Sequence, residues 1–301
     1  MIEILEPGPL TSVQDPDGRR QWRHLGVPVG GAADAWSARL ANRLVGNPDG
    51  AALLEVTLGG LVLTVDRPTR LALTGGLEAV GLAPHEARSI SRGATVRVNP
   101  GDGARGYLAV GGAIVVEPVL GSVSTDLRTG FGGLDGRALR AGDRLEVGTL
   151  SGTAGRWTGE RDVGPIRIVP GPHPEGFEQL LGDWTVAVEA DRTGVRLDGP
   201  ALEAAGEVPS MGLPAGAVQV PPDGRPIVML ADRPVTGGYP VPACVIRADV
   251  GRVAQLRTGD RLAFASVSPE EAREANRRAE EQLAAIEAPE ENGLGWIGSH
   301  G

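Results

Sequence analysis

Apolar and polar positions alternate in short runs along most of this chain. Leu54, Val56 and Leu58 alternate with Glu55 and Thr57, and Leu61, Leu63 and Val65 follow after Gly59-Gly60. A period of two marks half-buried strands joined by a tight turn. Further runs of this kind are 70–74, 95–98, 107–110, 167–169, 185–188, 217–220, 227–230 and 243–246, set between Gly, Pro and Asp turns. Such spacing predicts antiparallel barrels or sandwiches rather than strand–helix–strand units.

Two stretches switch to the helical period. The first runs over 35–45, with Asp34 as N-cap, Trp36, Leu40 and Leu44 on one stripe, and Gly46 then Pro48 as stops. The second runs from Pro269 to about Ala288, opened by Ser268 with Glu271 three residues on. That is a capping box with Pro at the first helical position, on a helix whose Glu/Arg-rich surface reads as a solvated face. The remainder, Pro289 to Gly301, reads as a frayed tail in which Trp296 is a candidate anchor.

One internal echo stands out. Arg140-Ala-Gly-Asp-Arg-Leu145 recurs as Arg257-Thr-Gly-Asp-Arg-Leu262, each time entering an apolar strand. The expected structure is a turn before a closing strand, with Gly at the positive-φ position and Asp bonding the turn backbone. Two similar barrels, one per half, explain the echo. The predicted organisation is a first barrel over 1–155, a second over 160–268, and a C-terminal helix and tail over 269–301. The best linker candidate is Ser151 to Gly164, rich in Gly, Thr and charge.

Composition narrows the chemistry. The 301 residues include 46 Gly and 24 Pro, consistent with dense turns, and 41% hydrophobic residues, enough for a core. All 29 basic residues are arginine. Codon bias towards arginine accounts for that most simply, and whatever its origin it excludes a Schiff-base lysine, a P-loop lysine and a lysine carrying biotin. A formal charge of −9 argues against nucleic-acid or anionic-membrane partners. The N-terminal MIEILEPGPL lacks a basic n-region and breaks at Pro7, so no signal peptide is expected, and no apolar run approaches the ~20 residues of a membrane span. Cys244 is the single cysteine, which suits a reducing compartment, and a cytoplasmic location is expected.

Familiar catalytic signatures are missing: no HExxH, paired CxxC, GxSxG or GxxxxGK[ST] occurs. The four histidines are scattered, so no metal site is expected, and Cys244 in the apolar stretch 241–246 reads as a core residue rather than a nucleophile. Three stretches carry more specific chemistry. The first is the loop with His24 and Asp34 that feeds the helix bearing Asn42; a helix N-terminus can hold an anion, although Asp34 has an equally good reading as a cap alone. The second is Glu55, an acidic residue inside a strand, which either faces solvent or serves a site near Gly75-Gly76. The third runs from Gln219 through Asp232, Thr236, Gly237, Gly238 and Tyr239. The glycine pair lets a ligand approach the backbone, and Asp232 and Tyr239 are candidate proton-transfer groups; a turn with a tyrosine lid is the plainer alternative. Arg192 and Arg196, four apart, can clamp a carboxylate or phosphate, or pair with Asp191 and Asp198 at the surface.

Taken together, GVPVGGAADAWSARLANRLVGN, LLEVTLGG, GYLAVGGAIVVEPVLGSVSTD, FGGLDGRALRAGDRL, DRTGVRLDGP, GAVQVPPDGRPIVMLADRPVTGGYP and the RTGDRL strand resemble allophanate hydrolase subunit 2, over about residues 1–270. That family includes the C subunit of bacterial 5-oxoprolinase, an antagonist of a sporulation kinase inhibitor, and the second half of the carboxyltransferase domain of urea carboxylase. The resemblance implies a mainly β fold of two cyclophilin-like β-barrels with a few short helices. It implies one component of an enzyme that opens 5-oxoproline to glutamate at the expense of ATP. Its partners would be a B-like subunit, related to allophanate hydrolase subunit 1, and an A-like subunit. ATP would be bound with or by those partners. The alternatives are half of a biotin-dependent urea or amide carboxyltransferase, with biotin arriving on another chain, or a non-catalytic antagonist of a kinase-inhibitor protein. On the first reading Asp232, Tyr239 and Asp34 are the candidate catalytic residues, and His24, Asn42, Glu55, Arg192, Gln219, Thr236, Gly237 and Gly238 the candidate contacts to a small amide or lactam. Family members more often carry serine at the place of Gly30 or Gly31 and methionine at Ala33, a departure inside the first loop.

Overall fold

The computed structural model describes residues 1–203 and 206–288, so the expected tail from Pro289 and its Trp296 lie outside the described residues. The protein is mainly β, as expected, and each run of alternating residues coincides with a strand; the run begun at Leu54, for example, is the strand Leu53–Thr57. The chain divides into two compact units, neither contiguous in sequence. One comprises Met1–Arg19, Asp34–Glu160 and the chain from Leu283 onward; the other comprises Arg20–Ala33 and Arg161–Gln282. No helix among the described residues is long and apolar enough to cross a membrane.

The first unit is built on two large antiparallel sheets, with a separate two-stranded ladder of Arg156–Trp157 and Ile286–Glu287. One has the order Ile114–Val115, Arg144–Val147, Ile2–Pro7, Leu61–Val65, Thr95–Asn99, Glu78–Ala79; the other has Leu10–Gln14, Leu53–Thr57, Arg105–Val110, Thr69–Gly75, Arg88–Ile90. Their inner faces share one core, to which Ile4, Leu63 and Val98 contribute from one sheet and Leu54, Leu73 and Leu108 from the other. Helix α1 (Ala35–Val45) occupies the predicted residues, capped by the Asp34 carboxylate on the Ser37 N–H and closed by Gly46 at φ 83°. It lies over Thr69–Gly75 and Arg105–Val110 on the second sheet. That sheet is therefore covered on both faces, and Glu55, which alternation alone allows to face solvent, is 2% exposed.

The second unit is a closed seven-stranded barrel in the order Ile166–Pro170, Ala243–Val245, Ala217–Gln219, Ile227–Met229, Gly194–Asp198, Asp183–Ala190, Arg261–Ser266. All its pairings are antiparallel except that of the first strand with the last, which is parallel and closes the ring. Inward-pointing Ile168, Val186, Leu197, Val218, Val228 and Phe264 fill the barrel. A short helix α2 (Phe177–Leu180) precedes the strand Asp183–Ala190, and α3 (Arg247–Ala254) packs against α4 (Pro269–Gln282).

The sequence echo is an echo of structure. Gly142 and Gly259 both have φ of 89°, a left-handed conformation that glycine adopts without steric cost. Asp143 and Asp260 each accept a hydrogen bond from the backbone of the turn's first arginine, Arg140 at 2.7 Å and Arg257 at 2.8 Å. The expected capping box also forms, with reciprocal bonds between Ser268 and Glu271 of 2.8 and 3.2 Å. Helix α4 nonetheless ends at Gln282 rather than near Ala288, because Ile286–Glu287 pairs antiparallel with Arg156–Trp157.

Candidate functional site

The candidate residues fall into two groups, one in each unit. In the first unit a polar row crosses the helix-covered sheet: register places Ser12 opposite Glu55, Glu55 opposite Tyr107, and Tyr107 opposite Thr74. All four are buried. The N-terminal turn of α1 docks onto this row. The Asp34 N–H donates to the Tyr107 hydroxyl at 2.7 Å, and Thr74 Oγ1 donates to the Ser37 carbonyl at 2.7 Å. The Asp34 carboxylate accepts from Ser37 N at 3.2 Å and from Ser37 Oγ at 2.8 Å. Arg105 Nε lies 3.8 Å from Glu55 Oε1, and both side chains are almost fully enclosed. Burial first, then the Glu55 and Asp34 charges, push the Tyr107 phenol well above its usual value of 10.0. A neutral phenol acting as acceptor for a main-chain N–H and lying beside an enclosed ion pair is a rigid, protonated polar core.

Asn42 stands apart from this row. Its amide donates to the carbonyls of Asp49 at 3.1 Å and Ala51 at 2.8 Å, which ties α1 to the loop that follows it.

In the second unit Arg192 and Asp232 meet at one end of the barrel, where Arg192 precedes the strand Gly194–Asp198 and Asp232 follows its paired neighbour Ile227–Met229. Arg192 Nε and Nη2 donate to Asp232 Oδ2 and Oδ1, each at 2.8 Å, and Nη2 also donates to the Gly31 carbonyl at 2.7 Å. Fork-to-fork pairing of this kind fixes both planes. The Asp232 N–H bonds the Arg192 carbonyl at 2.9 Å, so main chain and side chain converge on one arrangement. Gln219, Gly237 and Tyr239 form a second cluster: Gln219 Nε2 reaches the Tyr239 carbonyl at 3.5 Å, and a Cβ on Gly237 would sit 2.6 Å from Gln219 Nε2. Any residue larger than glycine there displaces Gln219. Thr236 is exposed on a two-stranded ladder opposite Gly212, with Gly238 just beyond it, and Tyr239 is 37% exposed. His24 is exposed on the 3-10 helix Arg20–Leu25, its Nδ1 3.0 Å from the Gln21 carbonyl.

Several residues in these clusters escape the sequence reading. Tyr107, Arg105 and Ser37 complete the polar row, and a tyrosine beside Gly106 in an otherwise apolar strand is the available signal. Arg233 is 7% exposed, and its guanidinium bonds the carbonyls of Leu213, Leu230 and Ala231 at 2.8, 3.0 and 3.5 Å. Cys244, in the strand Ala243–Val245, is half-buried, and burial raises its thiol pKa, against a nucleophilic role.

Comparison with known proteins gives these clusters a context. The sequence matches the family described as "Carboxyltransferase domain, subdomain A and B" over residues 25–266. It is 39% identical to the C subunit of 5-oxoprolinase from Escherichia coli, covering 94% of this chain and 98% of that protein. The protein of the same name from Haemophilus influenzae is 35% identical over 95% of this chain and 97% of that one. Among solved structures, Kluyveromyces lactis urea carboxylase superposes with a TM-score of 0.84 at 30% identity, covering 94% of this chain and 29% of that one. The solved chains are longer proteins; this chain spans 56% of one and 20% of another.

Proposed function

We propose that this chain, which belongs to the carboxyltransferase domain family, subdomain A and B, is the C subunit of an ATP-dependent 5-oxoprolinase. The supporting observation is the end-to-end match with two proteins named as the C subunit of 5-oxoprolinase, which leaves no large segment of either unpaired. The proposed reaction opens the lactam of 5-oxoproline to give glutamate, with B-like and A-like partners, in the cytoplasm.

A lactam is a poor electrophile, and transfer of a phosphoryl group from ATP to its oxygen would activate the carbon for attack by water. The ring C–N bond then breaks with the nitrogen leaving as the amine, and hydrolysis of the resulting acyl phosphate gives glutamate and phosphate. This chain has no lysine and no P-loop motif to cradle a nucleotide, so ATP is assigned to the partners. What this chain contributes is positioning. Asp232, with both oxygens fixed by Arg192, retains lone pairs that can orient the lactam N–H or the attacking water. Tyr239, exposed beside the small backbone of Gly237-Gly238, would donate a hydrogen bond to a substrate approaching that strand. In the first unit Tyr107 and the α1 N-terminus give Asp34 a fixed orientation, so a role for Asp34 is that of a positioning group.

A second reading follows from the likeness to urea carboxylase: half of a biotin-dependent carboxyltransferase, with biotin carried on another chain because this one has no lysine. One assay set separates the two. The chain is co-expressed with its B-like and A-like partners, and ATP-dependent glutamate release from 5-oxoproline is measured beside urea-dependent consumption of carboxybiotin. Glutamate release is expected. A stable three-component complex that releases none sinks the first reading, and carboxybiotin consumption with urea establishes the second.

A further inference from the structure

We propose that the turn tipped by Leu120 docks into another subunit of the enzyme, one that offers an apolar pocket bordered by carboxylates; the inference rests on the C-subunit reading above. Val119 and Ser122 exchange both main-chain hydrogen bonds, at 2.8 and 3.3 Å, so Leu120 and Gly121 are the central residues of a tight hairpin turn. Their φ angles are 55° and 78°. Positive φ at both centres is the type I′ pattern, which favours Asn-Gly or Gly-Gly. Gly121 suits it, whereas a bulky leucine is strained in the left-handed region. A turn that served only to reverse the chain would carry Asn or Gly in that place. Inward packing does not offset the strain. Leu120 is 40% exposed and Val119 beside it is exposed too, while Val116 and Val123 on either side pack against the core of the first unit.

Buried polar groups hold the turn from behind. The Asp15 carboxylate accepts from the Ser122 hydroxyl and, at 2.9 Å, from the Val123 N–H. Arg19 Nε donates to the Val119 carbonyl at 3.0 Å, and its Nη2 to the Ser124 carbonyl at 2.5 Å. Asp15, Arg19, Ser122 and Ser124 are all buried. A strained apolar residue displayed on a rigid mount suits a preformed contact, because little freedom is lost when it binds. The segment 122–126 ends in a second tip, where the Asp126 carboxylate accepts from the N–H groups of Arg128 and Thr129 at 3.0 and 2.9 Å. Main-chain bonds between Asp126 and Phe131 close this loop, and the Phe131 ring lies 4.5 Å from the same Arg19 guanidinium. Leu127 and Arg128 are exposed there, and Arg128 forms no ion pair with a described residue. Exposed aliphatic side chains followed by an unneutralised cation match an apolar pocket with an acidic border. A second copy of the chain fits less well, since a net charge of −9 on each opposes self-pairing. The relatives named as C subunits of 5-oxoprolinase are, by that name, components of a larger assembly.

The full chain and its L120N and R128Q variants are titrated against the B-like and A-like subunits at low and high salt, and each is melted and sedimented alone. Asparagine tolerates the left-handed region, so L120N is expected to melt at or above the temperature of the parent. Its binding to a partner subunit is expected to weaken about tenfold or more. R128Q is expected to weaken the same binding and to reduce its salt dependence. A leucine with a purely structural role gives the reverse pattern, a lower melting temperature with unchanged binding, and that result overturns the proposal. So do unchanged binding of both partners by L120N, a parent chain that binds neither, unaltered salt dependence in R128Q, or self-association of the parent that L120N abolishes. The lactam reading fails separately. A parent complex that assembles through Leu120 yet releases no glutamate loses the activity and keeps the docking surface, whereas glutamate release with L120N assembling normally does the opposite.

Discussion

Arg192 holds Asp232 by two parallel hydrogen bonds of 2.8 Å, and the same guanidinium reaches the carbonyl of Gly31 at 2.7 Å. The pair sits where side-chain exposure is 6% for the arginine and 15% for the aspartate. Removing one charge strands the other in a poorly solvated place, a change of about 3 kcal/mol in well-enclosed pairs. Asp232→Asn is therefore expected to lower stability in urea unfolding by about that amount and to abolish glutamate release by the complex. Arg192→Lys is expected to rescue little, since a lysine cannot reproduce the fork. Full stability and turnover in Asp232→Asn would remove the pair from the site.

Tyr107 provides a prediction at alkaline pH. The phenol is protonated in the folded protein well above 10.0, whereas in the unfolded chain it ionises near that value. Above the unfolded pKa the folded state binds the extra proton, so the stability contribution is full below it and is lost as pH rises towards the folded value. Tyr107→Phe is expected to flatten the alkaline limb of a stability–pH curve. At pH 7 the same substitution leaves the Asp34 N–H without its acceptor, a loss of about 1–3 kcal/mol. Equal alkaline slopes for variant and parent would contradict this.

The twin turns invite a paired experiment. Gly142→Ala and Gly259→Ala each force a Cβ into a left-handed conformation, with open space around it, so the penalty is backbone strain alone. Losses of about 1–2 kcal/mol each are expected, similar in size and additive in the double variant. Thermal or denaturant melts of the three variants test this, and a marked inequality would show that the two turns are alike only in sequence.

Asp249, on α3, provides a prediction at acid pH. Burial alone would raise its pKa, but hydrogen bonds from the Arg167 side chain and backbone outweigh burial and hold it below 3.8. The unfolded state then binds more protons near that pH, so stability is present above about 3.8 and is lost as pH falls through the folded value. Arg167→Met is expected to weaken the protein at pH 7 and to blunt its acid sensitivity, measured by urea midpoints at pH 3, 5 and 7. Unaltered acid sensitivity would assign the acid limb to other carboxylates.

What the sequence discloses is local. Helix α1 can be read to the residue because an N-cap, an apolar stripe and a terminal glycine all lie within thirteen positions, from Asp34 to Gly46. The RxGDRL turns are legible because Gly and Asp each have one job there. Glu55 is ambiguous for the opposite reason: only the helix laid over its sheet decides that it is buried, and Tyr107 becomes its neighbour only through strand register. Helix α3 is hidden from pattern reading since its N-cap is Ile246, which offers no capping oxygen, and Gly251 interrupts its interior. The early stop of α4 depends on pairing with residues far back in the chain. Among the candidates, Arg192 and Asp232 are each picked out by residue type, while their bond to one another is a product of the barrel.

The interleaved path of the chain has a consequence for biosynthesis. Arg20–Ala33 leaves the ribosome long before Arg161–Gln282, the rest of its unit, has been made, and the first unit lacks its last segment until Leu283 has emerged. Domains usually mature one after another as they are translated. Here neither unit can finish early, so both must close near the end of synthesis, and a proteolytic cut or gene fission around Glu160 would leave each fragment holding part of the other's unit.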